Sequence, residues 1–327
     1  MRILVTGGAG YIGSNLVDRL MAEGHEVYVI DNLSTGKISN IQHHLDSERF
    51  HFVNDNILNM TTMERLVQQV DMIYHLAAVV GVKYVVEDPL RGITVNVRGT
   101  ETVLELAFKY WRKVLIASSS EIYGKSTNVP LSEDDDRILG STSIGRWSYS
   151  DSKAIDEYFA FAYNKKGLPV VVVRYFNSYG PRLDPKGYGS VIAKFIGQAL
   201  RGEPLTVLDD GQQTRCFTYI DDTVRGTILA ATVPEAEGQV FNIGSNRETS
   251  ILELAHLILK ITGVSGEIQH IPYAQVYGTE FEETRRRVPD VRRAQEVLGF
   301  EADTPLEQGL QRTVEWFRAH RGAKEAL

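Results

Sequence analysis

Apolar and polar positions follow two rhythms in the first half of the chain. Short apolar runs at 3–6, 27–31, 72–76, 114–117 and 170–174 read as buried strands. Between them, segments 14–23, 63–69, 95–109 and 152–164 carry helical spacing. In 14–23, Leu16 and Leu20 share a side with Val17 and Met21, and Gly24 stops the helix. This alternation predicts βαβ units and an α/β fold, a doubly wound, mostly parallel sheet with helices on both faces. After Phe176 the rhythm changes. Proline and glycine crowd 180–189, 190–201 is helix-like, and 217–221 and 240–243 read as strands. Segment 251–262 is helical and 306–320 is a final amphipathic helix. The pattern predicts a larger lobe over residues 1–176, with 215–248 crossing back to it. A smaller C-terminal α/β lobe is expected from 177–214 and 249–327.

Composition narrows the class. The chain has 327 residues, 43% of them hydrophobic and 24% charged, which excludes a disordered or fibrous protein. Lys+Arg 35 against Asp+Glu 42 gives a net charge of −7, which argues against a nucleic-acid partner. The densest basic run, Arg285 to Arg287 with Arg292 and Arg293 behind it, is short and suits a small anion. The single cysteine, Cys216, rules out a disulfide framework and a cysteine-based zinc site, and no metal is expected. The N-terminus runs straight into a strand, and no apolar stretch nears a membrane span. These features predict a cytoplasmic protein with no membrane partner.

Candidate chemistry begins at the first strand. Gly7, Gly10 and Gly13 follow it and open the first helix. A tight turn, close backbone approach and a helix N-terminus suit a dinucleotide pyrophosphate. Asp31 ends the second strand, 18 residues after Gly13, where a carboxylate would grip ribose hydroxyls. The next residue is Asn32, not arginine, so NAD is expected as cofactor rather than NADP. Tyr149 and Lys153 are four apart, on one helical face. An ammonium beside a phenol favours the phenolate, a base for a sugar hydroxyl. Ser118, Ser119, Ser120 and Glu121 follow the strand at 114–117, at the carboxyl edge where open α/β sheets place ligands.

These motifs resemble the extended short-chain dehydrogenase/reductase family, in its nucleotide-sugar epimerase, dehydratase and decarboxylase branch. The resemblance rests on TGGAGYIG, DNLSTG, HLAA, the Asn96–Gly99 segment, SSSEIYG, YSDSK, RYFNSYGPR, RCFTYIDD, NIGS and RRVPDVRRAQEVLGF, and covers nearly the whole chain. It implies a Rossmann-type NAD domain and a nucleotide-sugar lobe. The implied NAD contacts are Gly7, Gly10, Tyr11, Ile12, Gly13, Asp31, Asn32, Ser34, Gly36, Asn56, Ile57, Leu76, Ala77, Ala78, Asn96, Ser118, Tyr149, Lys153 and Tyr175. Ser120, Asn177, Arg182, Val191, Arg215 and Arg287 would bind the UDP-sugar. Tyr149 would be the base, Lys153 would tune it, Ser119 would share the substrate oxygen, and Glu121 and Arg287 would complete the catalytic set. A homodimer through a four-helix bundle, built from 95–109 and 152–164, is also implied.

Within this branch all members oxidise C4 of the sugar first. Ser120-Glu121, Arg146-Trp147, Arg215-Cys216-Phe217-Thr218, GPRLD and the position of Arg287 resemble UDP-glucuronate decarboxylases, in which an arginine at the position of Arg287 is proposed to donate a proton to C5. DNLSTG resembles UDP-glucose 4-epimerases, and a 4,6-dehydratase is the third reading. A non-catalytic binder would lack Tyr149 or Lys153. In a decarboxylase, Glu121 is expected to add negative charge beside the substrate carboxylate and favour loss of CO₂, with Arg287 and Arg182 holding the uronate. Asp31 predicts tighter binding of NAD than of NADP in direct titrations, and the reverse preference would contradict it.

Overall fold

The computed structural model describes residues 1–81, 88–184, 190–277, 282 and 284–320. Six parallel strands, β1 (Arg2–Thr6), β2 (Glu26–Asp31), β3 (Phe50–Asn54), β4 (Met72–His75), β5 (Lys113–Ser119) and β6 (Val170–Tyr175), are joined at one edge by Val240–Ile243. The order is Val240–Ile243, β6, β5, β4, β1, β2, β3. The chain thus starts in the middle, winds outward to β3, then returns past β1 to wind the other way. The order reverses between β1 and β4, where such sheets open a crevice at their carboxyl ends.

Alternate strand residues feed two cores. Ile3, Val5, Val27, Val29, Val171 and Val173 pack on one face with Leu16, Val17 and Leu20 of helix Tyr11–Ala22. Leu4, Ile30, Val170 and Val172 pack on the other with helices Met60–Gln69, Gly99–Tyr110 and Trp147–Asn164. The first core does not stop at the sheet. It runs on through Phe195 and Ile196, Leu254 and Ile258, and Leu310 and Val314, which belong to helices Val191–Arg201, Ile251–Thr262 and Leu306–Ala319. The C-terminal part adds three two-stranded sheets: Ser178–Tyr179 with Thr218–Tyr219, Thr214–Cys216 with Glu248–Ser250, and Leu205–Leu208 with Ile268–Ile271. Among the described residues, no helix is long and apolar enough to cross a membrane.

Several expectations need correction. The strand expected at 217–221 shrinks to Thr218–Tyr219, because helix Ile220–Thr232 begins at once, with Asp221 and Asp222 in its first turn. The helix expected at 95–109 falls on two pieces, a π-helical turn Thr94–Arg98 and helix Gly99–Tyr110, and a short helix Pro89–Ile93 runs into them. The helix expected from 152 starts at Trp147, so Tyr149 and Lys153 share it.

One buried network ties the helix to the sheet. Arg174 of β6 donates to Glu157 through Nε (2.9 Å) and Nη2 (2.7 Å), and to the Tyr123 hydroxyl through Nη1 (2.9 Å). The Ser118 hydroxyl donates to the same Glu157 at 2.6 Å. Tyr123 donates onward to Asn242 at 2.7 Å, reaching the seventh strand. Arg174→Met would strand a buried carboxylate, costing about 3–5 kcal/mol in urea unfolding. Adding Glu157→Met should recover most of that loss. Equal stability of the single and double variants would show that the pair is not what holds the helix.

Candidate functional site

A cleft of about 820 Å³ runs along the carboxyl ends of the strands, between the sheet and the C-terminal part. Its first wall is the glycine turn. Gly7 has φ +71°, open to glycine, and a Cβ there would sit 2.9 Å from Ala77 backbone. A Cβ on Gly13 would meet the Gly7 carbonyl at 2.2 Å, so helix Tyr11–Ala22 can leave the strand this tightly only with glycine there. Gly10 caps the helix with no side-chain hydrogen bond, and no acidic residue lies in its first turn. Its N–H groups are therefore available to an anion.

At the far end of this wall Asp31 is buried, which raises its carboxyl. Backbone N–H groups of Leu33 (2.8 Å) and Ala9 (3.0 Å) oppose that and hold it in place. Asn32, Ser34, Asn56, Ile57, Leu76, Ala77, Ala78, Tyr11, Ile12 and Tyr175 line the same cleft. Two expected contacts do not. Gly36 packs behind Asp31, where a Cβ would lie 2.8 Å from its Oδ2. Asn96 is buried: its Oδ1 accepts from Val79 N (2.8 Å) and its Nδ2 donates to Ser152 Oγ (3.1 Å). Both shape the wall from behind, Gly36 by yielding space and Asn96 by fastening the loop after β4 to helix Trp147–Asn164.

The reactive centre lies where β5 ends. Ser119 Oγ accepts from Glu121 N at 3.2 Å, which fixes the turn Ser120–Tyr123. Ser118, Ser119, Ser120 and Glu121 face Tyr149 and Lys153 across the cleft. Lys153 Nζ donates to the Ala117 carbonyl (2.9 Å) and to Asp156 (3.0 Å). Burial raises the Tyr149 phenol. Lys153 and the Ser119 hydroxyl pull it back, while Glu121 and Asp156 push it further up. A cation brought beside the phenol would shift the balance toward phenolate.

Glu121 does not stand as a free negative charge. Arg287 donates to it at 2.5 Å, and Arg146 lies 3.7 Å away. Burial alone would raise this carboxyl, but Arg287 and Arg146, with Arg215 further off, hold it at about 2. The expectation that Glu121 makes the sugar end negative is therefore corrected: its carboxylate is paired with Arg287, with Arg146 close by and Arg215 also acting on it. Arg287 and Arg146 are buried, whereas Arg285 and Arg286 lie on the surface, paired with Asp210 and Glu248. Asn177 (φ +36°), Val191 and Arg215 line the same end. Arg182 also lines the cleft, but its Nη2 is engaged by Asp18 at 2.6 Å. Asp18 with His43 and His44 is one group of metal-ligand spacing among the described residues, yet Arg182 already neutralises that carboxylate.

The family model for GDP-mannose 4,6-dehydratase matches residues 4–313. The chain belongs to this family. It lies in the nucleotide-sugar branch of the extended short-chain dehydrogenase/reductases. Among curated relatives, the UDP-N-acetyl-alpha-D-glucosaminuronate decarboxylase of Bacillus cytotoxicus is 45% identical over 317 residues, 97% of this chain and 98% of that protein. UDP-glucuronic acid decarboxylase 1 of Xenopus tropicalis is 40% identical, covering 97% of this chain and 72% of that protein. The crystal structure of a UDP-glucuronic acid 4-epimerase from Bacillus cereus, in complex with UDP-glucuronic acid and NAD, superposes with TM-score 0.87 at 33% identity, over 98% of this chain and 99% of that one.

Some residues of this dehydratase-family cleft escaped the sequence reading as site residues. Arg146 stood out there only as a neighbour of Trp147, yet it closes on Glu121. Lys194, Thr206, Gln213 and Tyr273 line the C-terminal wall. Nothing in their spacing marks them, because they come from two helices, a short strand and a loop far apart in sequence.

Proposed function

We propose that this chain is an NAD-dependent decarboxylase of a UDP-uronate, either UDP-glucuronate or its 2-acetamido counterpart. The observation that carries this reading is the set of arginines at Glu121, namely Arg287 and Arg146 with Arg215, in the cleft that Tyr149 also lines. Guanidinium groups match a C5 carboxylate in charge and geometry, and a neutral hexose offers them no such partner. The relatives named as decarboxylases of such uronates support the same reading.

The glycine turn, the uncapped helix N-terminus and Asp31 fit NAD: the turn admits a pyrophosphate and the carboxylate meets ribose hydroxyls. Bound there, NAD would supply the hydride acceptor for C4 and return the hydride later. Tyr149 takes the C4 hydroxyl proton, and Ser119 orients that oxygen. Lys153 stabilises the phenolate through the proton transfer. The resulting ketone lies β to the carboxylate, so the C5–carboxyl bond breaks with its electron pair delocalised onto the C4 oxygen. Arg146 and Arg215 hold the uronate, and C5 is reprotonated from the Arg287 side. Glu121 keeps Arg287 and Arg146 in position rather than repelling CO₂ outward.

A second reading, 4-epimerisation of the same uronate, draws on the fold match to a UDP-glucuronic acid 4-epimerase. It uses the same Tyr149 chemistry and returns the hydride to the other face of C4. Product identity separates the two, since decarboxylation yields a sugar lighter by one CO₂ and epimerisation an isomer of equal mass. Glu121→Gln should cut turnover on the order of 10²-fold with NAD affinity nearly unchanged, because the arginines it aligns are released. Near-normal turnover by that variant would remove Glu121 from the mechanism.

The chain is also proposed to act as a homodimer. Ile155 and Tyr158 are 39% and 69% exposed on helix Trp147–Asn164, and a helix pair from each subunit would cover such a face. Sedimentation should show a dimer, converted to monomer by Tyr158→Glu. A monomeric parent chain would contradict this assembly. A reducing, cytoplasmic setting accords with Cys216, a buried thiol that burial pushes up to about 12.

A further inference from the structure

Asp156 is fully buried on helix Trp147–Asn164, one turn beyond Lys153, and it does not line the cleft. A carboxylate in such a place is costly unless its neighbours are arranged for it. Its Oδ2 takes Lys153 Nζ at 3.0 Å. Behind it lies a line of buried groups with a single polarity. Thr6 Oγ1 accepts from the N–H groups of Leu76 (3.2 Å) and Ala77 (3.1 Å), so its own proton is directed to His75 Nδ1, 2.8 Å away. Burial keeps the His75 imidazole neutral, lowering it to about 3. With Nδ1 accepting, Nε2 carries the proton and donates to Thr100 Oγ1 at 3.0 Å. Burial, the largest effect, raises the Asp156 carboxyl, while Lys153 and Thr100 act to lower it, and Asp156 Oδ1 has no hydrogen-bond partner among the described residues.

The charged groups acting on the Tyr149 phenol come from two elements. Lys153 and Asp156 share its helix, and Glu121 follows β5. Glu157, also on the helix, acts on Lys153 but is neutralised by Arg174 of β6. His75 of β4 carries no charge, and Glu121 is opposed by Arg287 and Arg146. Of those acting on the phenol, Lys153 alone favours the phenolate, and its charge in turn depends on a buried partner.

We propose that Asp156 is a positioning residue for proton transfer: buried behind the cleft beside the Thr6–His75–Thr100 line, it pairs with Lys153 and keeps that ammonium charged next to Tyr149. The inference rests on the reading of Tyr149 as the base. Its consequence is a definite sign. Burial disfavours the Lys153 ammonium, and Asp156, together with Tyr149 and Glu157, more than offsets that. Removing the carboxylate charge lets Lys153 lose its proton at lower pH. It also removes a negative charge that holds the proton on Tyr149. The Tyr149–Lys153 pair titrates together, so both limbs of the pH profile move down.

The test uses the NAD-bound full chain and compares kcat against pH for the parent and Asp156→Asn. The expected result is a bell moved to lower pH by about one unit or more, with kcat at the alkaline side reduced on the order of 10-fold and KM nearly constant. A profile lowered in height but unmoved in position, or a change confined to KM, would overturn the proposal. Should Asp156→Asn fail to fold, Thr100→Val keeps the carboxylate and removes a neighbouring hydroxyl that lowers it, and a smaller shift in the same direction is expected. No shift there would count equally against it. If no UDP-uronate is turned over at all, the proposed function falls, but the phenol can still be followed. Tyrosinate absorbance of the NAD-bound chain, read against Tyr149→Phe, should show a lower midpoint in Asp156→Asn, and an equal or higher midpoint sinks the idea.

Discussion

The site depends on how helix Trp147–Asn164 buries three ionisable side chains within five residues, Lys153, Asp156 and Glu157. Unpaired, they would push the helix off the sheet. Paired, they bolt it there. Lys153 reaches the Ala117 carbonyl near the end of β5, and Glu157 takes Arg174 from β6 and Ser118 from β5. These contacts lie within a few residues of Ser119, Ser120 and Glu121. The distance between Tyr149 and the loop it works with is therefore set by the same bonds that stabilise the fold. A helix held only by an apolar stripe can slide or rotate with little penalty, but one held by buried charge pairs has a single register.

The parts of this arrangement that are legible in sequence are those with short-range periodicity. Strands β1, β2, β4, β5 and β6 are buried on both faces and read as continuous apolar runs, so they stand out. Strand β3 did not, because Phe50–Asn54 lies at the sheet edge and only Phe50 is fully buried. Most strands of the small C-terminal sheets escaped for a different reason: strands such as Ser178–Tyr179 and Glu248–Ser250 are too short to show any period. The glycine turn, Asp31 and the Tyr149–Lys153 pair were readable because their spacing is local. Arg146 closing on Glu121, and Asn96 turned inward to Ser152, depend on tertiary placement that no window of sequence contains.

The correction at Glu121 has a physical lesson. A carboxylate beside a scissile carboxylate looks, on paper, like a source of repulsion that speeds CO₂ loss. In the folded chain its charge is spent on two arginines before any substrate arrives. Arginine stays protonated at any pH of interest, so these contacts are permanent. What this end of the cleft offers is a set of arginines held in fixed positions around a carboxylate before any ligand arrives. That set suits a uronate whether its fate is decarboxylation or epimerisation. The choice between those fates therefore rests on how long the β-keto acid is held and on which face of C4 is presented again, not on the residues that recognise the carboxylate.

How one arginine of three is chosen for this set follows from backbone geometry. Arg285, Arg286 and Arg287 are consecutive, and no property of their side chains separates them. The segment carrying them is clamped between the two parts of the molecule: Thr214 N donates to the Arg285 carbonyl, the Thr284 hydroxyl donates to the Gly124 carbonyl, and Leu131 N donates to the Val288 carbonyl. A segment pinned at such points cannot rotate about its own axis. Its side chains then point in fixed and different directions, Arg285 to Asp210, Arg286 to Glu248 and Arg287 inward to Glu121. The two outward pairs also keep those guanidinium groups from competing for the inner carboxylate. The clamp bonds β-bridge a loop of the NAD-side lobe, at Leu131, to the segment that supplies Arg287. This end of the cleft is thus built from both the sheet-side and the C-terminal segments, and the apolar core that continues from the sheet into the C-terminal helices holds them together.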